Sequence, residues 1–242
     1  MGAKIEAREV SKRVGEHIAL SNLSLEVDQG EIFGIIGPNG AGKTTFLRIL
    51  TGYWLPSSGD VLVEGLSVVK NRFAVQQQLG YVCEQPKLYS DHSVKTFLRM
   101  MGELRGLKRA ELGAAVERAI ERFELAEVVQ RRIGVLSKGF RQRVSLAQAM
   151  IHDPPLIVID EPTVGLDPRQ QIELRRMIQG LGGRHTVLLC THQLREAEVC
   201  CDRVALLDRG RLVQIATREE VKTGGSLEAL FLDLTQQREG SP

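Results

Sequence analysis

The sequence predicts an α/β fold with a parallel core sheet, an N-terminal antiparallel β subdomain and an inserted α-helical subdomain. Three observations predict it. Short continuous apolar runs, IFGII at 32–36, LIVID at 156–160 and TVLLC at 186–190, read as strands buried on both faces. Helical patterns separate these runs, and strands alternating with helices build a parallel sheet. Residues 94–130 carry helical periodicity between two strand-rich regions.

The elements follow in order. Residues 4–10 and 23–27 alternate like strands of an exposed sheet. After the 32–36 strand come the glycine-rich GPNGAGKTT and a helical FLRILTG, and VLVEG at 61–65 reads as a strand. The 94–130 block is helical throughout, with turns near Gly106 and Glu124. In LSKGFRQRVSLAQAM, Leu136, Phe140, Val144, Ala147 and Ile151 recur at steps of three or four. They form one apolar stripe of a helix whose N-cap is Ser137. A helix spans 168–180, VALLDRGRLVQIA at 204–216 is a hairpin turning at Asp208-Arg209-Gly210, and 217–237 is helical, broken at Gly224-Gly225. The last five residues, REGSP, read as frayed.

Composition bounds the function. At 242 residues, with 43% hydrophobic and 26% charged residues, the chain is of ordinary globular make-up. A net charge of +2 gives no global reason to expect nucleic acid. No apolar run approaches the roughly 20 residues of a membrane helix. The N-terminus, MGAKIEAREV, has no apolar signal core, which points to the cytosol. The four cysteines, Cys83, Cys190, Cys200 and Cys201, have no zinc spacing and read as reduced, mostly buried thiols.

Gly37-Pro38-Asn39-Gly40-Ala41-Gly42-Lys43-Thr44-Thr45 fits the phosphate-binding pattern GxxxxGK[ST]. It follows a buried strand and opens a helix, the context that separates such a loop from a chance glycine turn. Its glycines let successive N–H groups point at phosphate oxygens, Lys43 adds a point charge, and Thr44 can ligate Mg²⁺. In LIVIDEP, a strand carries Asp160 to its carboxyl end, where open α/β sheets bind ligands. Asp160 can hold Mg²⁺, and Glu161 can take a proton from an attacking water. Alone, such a pair could equally cap the next helix. His192 follows the strand TVLLC and can reach a γ-phosphate, although a lone histidine is more often a structural hydrogen-bonder. The start of the 136–150 helix combines Ser137, Gly139 and three cations, Lys138, Arg141 and Arg143. Glycine there costs about 1 kcal/mol relative to alanine. A helix N-terminus with cations suits phosphate.

The order of phosphate loop, helical insert, LSKGFRQR, LIVIDEP, GLDP and TH resembles the ATP-binding cassette (ABC) ATPases over nearly the whole chain. The LSKGFRQR-VSLAQAMIHDP stretch resembles the ABC-2 type, including the gliding-motility-like and nitrous-oxide-reductase-maturation groups. The resemblance implies a single P-loop ATPase domain over 1–242. Its nucleotide-binding core would comprise 4–84 and 153–216, its helical subdomain 85–152, and its helical tail 217–242. It implies ATP and Mg²⁺, with Gly37 to Thr45 cradling phosphate, Asp160 supporting Mg²⁺, Glu161 as catalytic base and His192 as the switch histidine. It also implies head-to-tail pairing with a second cassette subunit, taken as an identical copy. Ser137 and Gly139 would then meet the partner's ATP, and Gly165-Leu166-Asp167 would couple the two sites.

Several positions depart from the family's pattern. Lys138 and Phe140 replace a glycine and a glutamine of the usual LSGGQ. The lid-loop glutamine, a candidate metal ligand, aligns with Glu84, with Gln85 next to it. The adenine-stacking aromatic aligns with Val14, a loss on the order of 1–3 kcal/mol by analogy with other stacked bases. Weak ATP binding by the isolated subunit is therefore expected.

The implied partner is a separate membrane permease, and the implied location is peripheral on the inner face of the cell membrane. The permease groove is expected near residues 84–96 and the helical insert, where Lys87, Leu88 and Tyr89 offer an apolar and basic surface. The resemblance favours export over import. Rival readings are a soluble ABC ATPase acting on ribosomes or DNA and a simple P-loop kinase. The first lacks here the tandem cassettes or long coiled coil it usually carries. The second leaves LSKGFRQR, GLDP and His192 without a role.

Overall fold

The structure is a computed structural model that describes residues 2, 4–223 and 225–229. Strands β1 (Ile5–Val14), β2 (His17–Val27), β4 (Ser58–Val63) and β5 (Leu66–Ser67) form an antiparallel sheet in the order β2-β1-β4-β5. The second sheet contains β3 (Ile32–Ile36), β6 (Leu79–Val82), β7 (Leu156–Asp160), β8 (Thr186–Thr191), β9 (Arg203–Asp208) and β10 (Arg211–Thr217). Its order is β10-β9-β3-β8-β7-β6, parallel except for β10, which turns back on β9. Helices α1 (Lys43–Leu50) and α2 (Arg72–Gln77) precede β6. Next come α3 (Val94–Leu104), α4 (Arg109–Arg122) and α5 (Lys138–Met150), all between β6 and β7. The chain continues through α6 (Pro168–Gln179), α7 (Leu194–Cys200) and α8 (Arg218–Thr223).

The apolar runs lack visible alternation because both sheet faces are buried. The side chains nevertheless alternate between two cores. Ile32, Ile36, Ile157, Ile159, Val187 and Leu189 pack with α3, α4 and α5 on one face. Phe33, Ile35, Leu156, Val158, Leu188 and Cys190 pack with α1 and the antiparallel sheet on the other. By the same parity Asp160, two residues after Val158, belongs to the α1 side.

The structure corrects several expected elements. The first two strands run beyond 4–10 and 23–27 to meet at Gly15-Glu16, and register shifts between Ala7 and Arg13 break the alternation there. The strand expected at 61–65 is 58–63, because Glu64 and Gly65 form a left-handed turn with φ of 50° and 74°. The 94–130 block is not helical throughout. Left-handed residues at Gly106 (φ 82°) and Glu124 (φ 52°) end α3 and α4, and only short 3₁₀ turns follow up to 135. The sheet-edge strand β6, with Gly80 in its four residues, gives too short a pattern to read from sequence. Of the helix expected over 217–237, α8 covers 218–223, and residues 224 and 230–242, with REGSP, lie outside the described residues. Cys190, Cys200 and Cys201 are buried free thiols, and Cys83 is half-buried. Among the described residues no helix is long and apolar enough to cross a membrane.

Candidate functional site

The loop after β3 wraps the start of α1. Gly42 occupies the N-cap position at φ 103° and supplies no capping side chain. A Cβ at Gly42 would lie 2.7 Å from the Ala19 carbonyl oxygen, so only glycine fits this close approach. The first N–H groups of α1 are thus left for an anion. The β9–β10 turn braces the loop: the Gly210 N–H donates to the Ala41 carbonyl at 3.0 Å. Lys43 is buried, and its Nζ donates to the carbonyls of Gly37 at 2.7 Å and Pro38 at 3.2 Å.

This loop borders a cavity of about 410 Å³. Asn39 to Thr45 line one side, and Glu84, Glu161, His192 and Val14 line the others. Five distant sequence segments therefore converge on one space. Glu84, not Gln85, faces it; Gln85 lies instead on a neighbouring groove that also includes Glu84. Gly37 and Pro38 sit behind the loop as acceptors for Lys43. Four further residues line the cavity without a prior sequence signal: His17, Ala19, Trp54 and Val164. Trp54 is the single tryptophan and could have been singled out on that ground, but its ring partners cations. The Arg48 guanidinium lies 4.6 Å and the Lys12 ammonium 5.6 Å from its ring centre. Val14 is 47% exposed at the mouth.

The acidic pair has a defined geometry. Glu161 has left-handed backbone at φ 48°, uncommon for a non-glycine residue. Its N–H donates to the Cys190 carbonyl at 2.8 Å, which pins the turn to β8. His192 Nδ1 lies 2.8 Å from Glu161 Oε2, and the Thr191 hydroxyl donates to the same oxygen at 3.4 Å. Residues in such sparsely populated backbone conformations cost on the order of 1–3 kcal/mol and gather at functional sites. Asp160 is buried at the end of β7. Burial, then the charges of Glu161 and Glu84, push its carboxyl from 3.8 up to about 6, with Lys43 opposing. Three carboxylates crowded against one lysine suit a divalent cation, which would relieve the repulsion. Among the described residues no three His, Cys, Asp or Glu side chains form a self-sufficient metal cage. A cation here would therefore draw on Thr44 and on phosphate oxygens as well as Asp160 and Glu84.

The start of α5 is different. Ser137 Oγ accepts from the Phe140 N–H at 3.3 Å, so the helix is capped by its own side chain. The glycine at 139 has an explanation within the chain: a Cβ there would lie 2.8 Å from the Gln170 side chain on α6. Arg143 is not free for phosphate, contrary to the sequence expectation. It forms salt bridges to Glu124 at 2.9 Å and Glu173 at 2.6 Å, drawn in because its side chain is largely buried. Lys138 and Arg141 are exposed and unpaired among the described residues. A Cβ on Gly165 would run into the Lys138 ammonium, so Lys138 lies over the Gly165-Leu166-Asp167 loop. Ser137, Gly139, Asp167 and Gln170 border a second cavity of about 340 Å³.

A parallel sheet with a glycine loop at a helix start, and an acidic pair at a neighbouring strand end, defines a P-loop nucleoside triphosphatase. The sequence profile of the ABC transporter family matches residues 20–164, and the chain belongs to that family. It is 37% identical over 217 residues to the daunorubicin resistance ATP-binding protein DrrA3 of Streptomyces coeruleorubidus, covering 88% of this chain and 69% of the relative. It is 37% identical to the Nod factor export ATP-binding protein I of Cupriavidus metallidurans (88% of this chain, 71% of the relative). It is 38% identical to the ABC transporter ATP-binding protein NatA of Bacillus subtilis (88% and 84%). A solved structure described as the ATP binding subunit of an ABC transporter superposes with a TM-score of 0.85 at 30% identity, covering 96% of this chain and 99% of that one. The chain is thus an ATP-binding, ATP-hydrolysing subunit of a multi-component transporter.

Proposed function

We propose that this subunit hydrolyses Mg·ATP in the cavity between Asn39–Thr45 and Glu161, powering export through a separate ABC-2 type permease. The observation that carries the reading is Glu161: its carboxylate opens into the same cavity as the phosphate loop, fixed by left-handed backbone and His192. The N–H groups of the loop and Lys43 would bind the phosphates, while Thr44, Asp160 and Glu84 would hold Mg²⁺. Bound there, the cation would supply positive charge that offsets the phosphate oxygens. Glu161 takes a proton from the attacking water as its oxygen bonds to the γ-phosphorus. The bond to the β-phosphate oxygen breaks, and ADP leaves with that electron pair. His192, with Nδ1 2.8 Å from Glu161 Oε2, would hold the carboxylate and offer its other ring nitrogen to phosphate.

The functional unit is proposed to be a pair of identical subunits, with Ser137 and Gly139 meeting the partner's ATP. Glu84, Gln85, Pro86 and Leu88, with Ile133 and Arg141, border a groove of about 330 Å³ that suits a helix of the permease. The subunit would then sit on the inner face of the cell membrane. Export is supported by relatives whose names concern drug resistance and Nod factor export. Glu161→Gln tests the reading. Turnover is expected to fall by at least about 100-fold with ATP affinity unchanged. A variant that hydrolyses at the wild-type rate removes Glu161 as base. Co-purification of this variant from membranes with ATP tests the permease: a multi-span protein supports it, and ribosomes or DNA in its place count against it.

A further inference from the structure

Close to Glu161 lie buried polar atoms that have no hydrogen-bond partner among the described residues. Glu196 on α7 is fully buried, and neither of its carboxylate oxygens has a partner among the described residues. The Thr163 hydroxyl is buried and equally unpartnered. Arg175 on α6 is nearly buried, with its Nε unpaired. A buried polar group left unpaired costs about 1–3 kcal/mol, and an apolar replacement of a buried charged pair is often as stable. Three such groups together call for a reason other than stability.

They are neighbours. Burial pushes the Glu196 carboxyl up; the hydroxyls of Thr191 and Thr163 and the charge of Arg175 oppose that, and Glu161 reinforces it. Neither hydroxyl is placed to close a hydrogen bond to Glu196 of normal length and direction. Bonded contacts lead outward from the cluster at both ends. At one end the Thr191 hydroxyl donates to Glu161 Oε2 at 3.4 Å. At the other, Arg175 Nη2 donates to Gln171 Oε1 at 3.3 Å, and Gln171 Nε2 donates to the Leu166 carbonyl at 3.2 Å. Leu166 is the centre of Gly165-Leu166-Asp167. The segment from Glu161 to Gly165 has left-handed backbone at both ends, φ 48° and 70°.

We propose that Glu196 and Arg175 are positioning residues, forming with Gln171, Thr163 and Thr191 a buried polar track that ties the 165–167 loop to Glu161. The unsatisfied oxygens of Glu196 are the adjustable joint. A small shift of the loop brings the Thr163 hydroxyl or Arg175 Nε onto them, and Thr191 transmits the change to the Glu161 carboxylate. The proposal rests on the reading of Glu161 as base and of 165–167 as the loop facing a second subunit.

The test is steady-state hydrolysis of Mg·ATP by the full chain, well below each variant's unfolding midpoint, with ATP affinity and thermal unfolding measured in parallel. Glu196→Ala and Arg175→Met are expected to lower kcat about tenfold, with ATP affinity within about twofold of wild type. Glu196→Gln keeps the shape and is expected to recover kcat to within about threefold of wild type. Gln171→Leu, at a half-exposed site, is expected to fold normally and to bring the Hill coefficient for ATP towards one. It carries the test should Glu196→Ala not fold. Wild-type kcat in Glu196→Ala and Arg175→Met, with only a lower unfolding temperature, overturns the proposal; so does unchanged cooperativity in Gln171→Leu. Glu161→Gln runs beside them. If it hydrolyses ATP normally, the reading of the base fails; if it is inactive while the Glu196, Arg175 and Gln171 variants match wild type, only the track fails.

Discussion

Two helices in this chain begin with a neighbouring glycine and lysine, and they begin differently. At α1, Gly42 is left-handed and supplies no capping side chain, and Lys43 is held by two carbonyls of its own loop. At α5, Ser137 caps the helix, Gln170 packs against Gly139, and Arg143 is engaged by two glutamates. The first start keeps open N–H groups and a pre-set charge beside a cavity with carboxylates. The second is largely satisfied by its own chain and offers mainly the exposed Lys138 and Arg141. Glycine and cations at a helix start therefore do not by themselves leave its first turn open; what separates the two is who satisfies that turn within the chain.

Lys43→Ala should break the α1 side of this comparison most strongly. A charged hydrogen-bonding group contributes about 2–3 kcal/mol, so ATP affinity is expected to fall about 30- to 160-fold in a nucleotide titration. Unchanged affinity would place the nucleotide elsewhere. Ser137→Ala sharpens the α5 side. Losing the cap is expected to cost about 1 kcal/mol of stability. If Ser137 also meets a partner's ATP, turnover falls about tenfold while binding by the single subunit stays constant. A loss of stability alone would leave Ser137 as a cap.

Asp160→Asn probes the charge crowding at α1. The neutral carboxyl is favoured in the fold, since Asp160 titrates at about 6 rather than 3.8. Its burden is absent below 3.8 and complete above about 6. Without nucleotide, Asn should therefore stabilise the protein by about 1–2 kcal/mol at neutral pH, allowing for partial solvent screening, and the gain should vanish in acid. Denaturant unfolding across pH checks this, and a gain independent of pH would contradict it. The smallest effect is expected for Val14→Tyr at the cavity mouth. A stacked ring there should tighten ATP binding several-fold, about 1 kcal/mol. Equilibrium titration would show no gain if the base does not reach residue 14.

Much of this arrangement is legible in the residues. The runs at 32–36, 156–160 and 186–190 announce doubly buried strands because both faces of the sheet are covered. Ser137 announces a cap, and Asp160 and Glu161 sit at a strand end because four apolar residues precede them. The cavity residues His17, Ala19, Trp54 and Val164 carried no such pattern, since each arrives on a different segment and meets the others only in space. The β6 edge was illegible because four residues containing a glycine make no period. The role of Gly139 against Gln170 was also hidden, as a contact between α5 and α6 has no local trace.

The sequence alone thus determines the layered α/β architecture, the phosphate loop and the acidic strand end, because hydrophobic period and local backbone chemistry act over a few residues. Tertiary structure decides which carboxylate meets His192, that Glu84 rather than Gln85 faces the cavity, and where Arg143 spends its charge. It also decides that Glu196 is buried without a hydrogen-bond partner among the described residues. Each of these depends on burial and on groups far apart in the chain, and desolvation is a property of the assembled neighbourhood, not of any one segment.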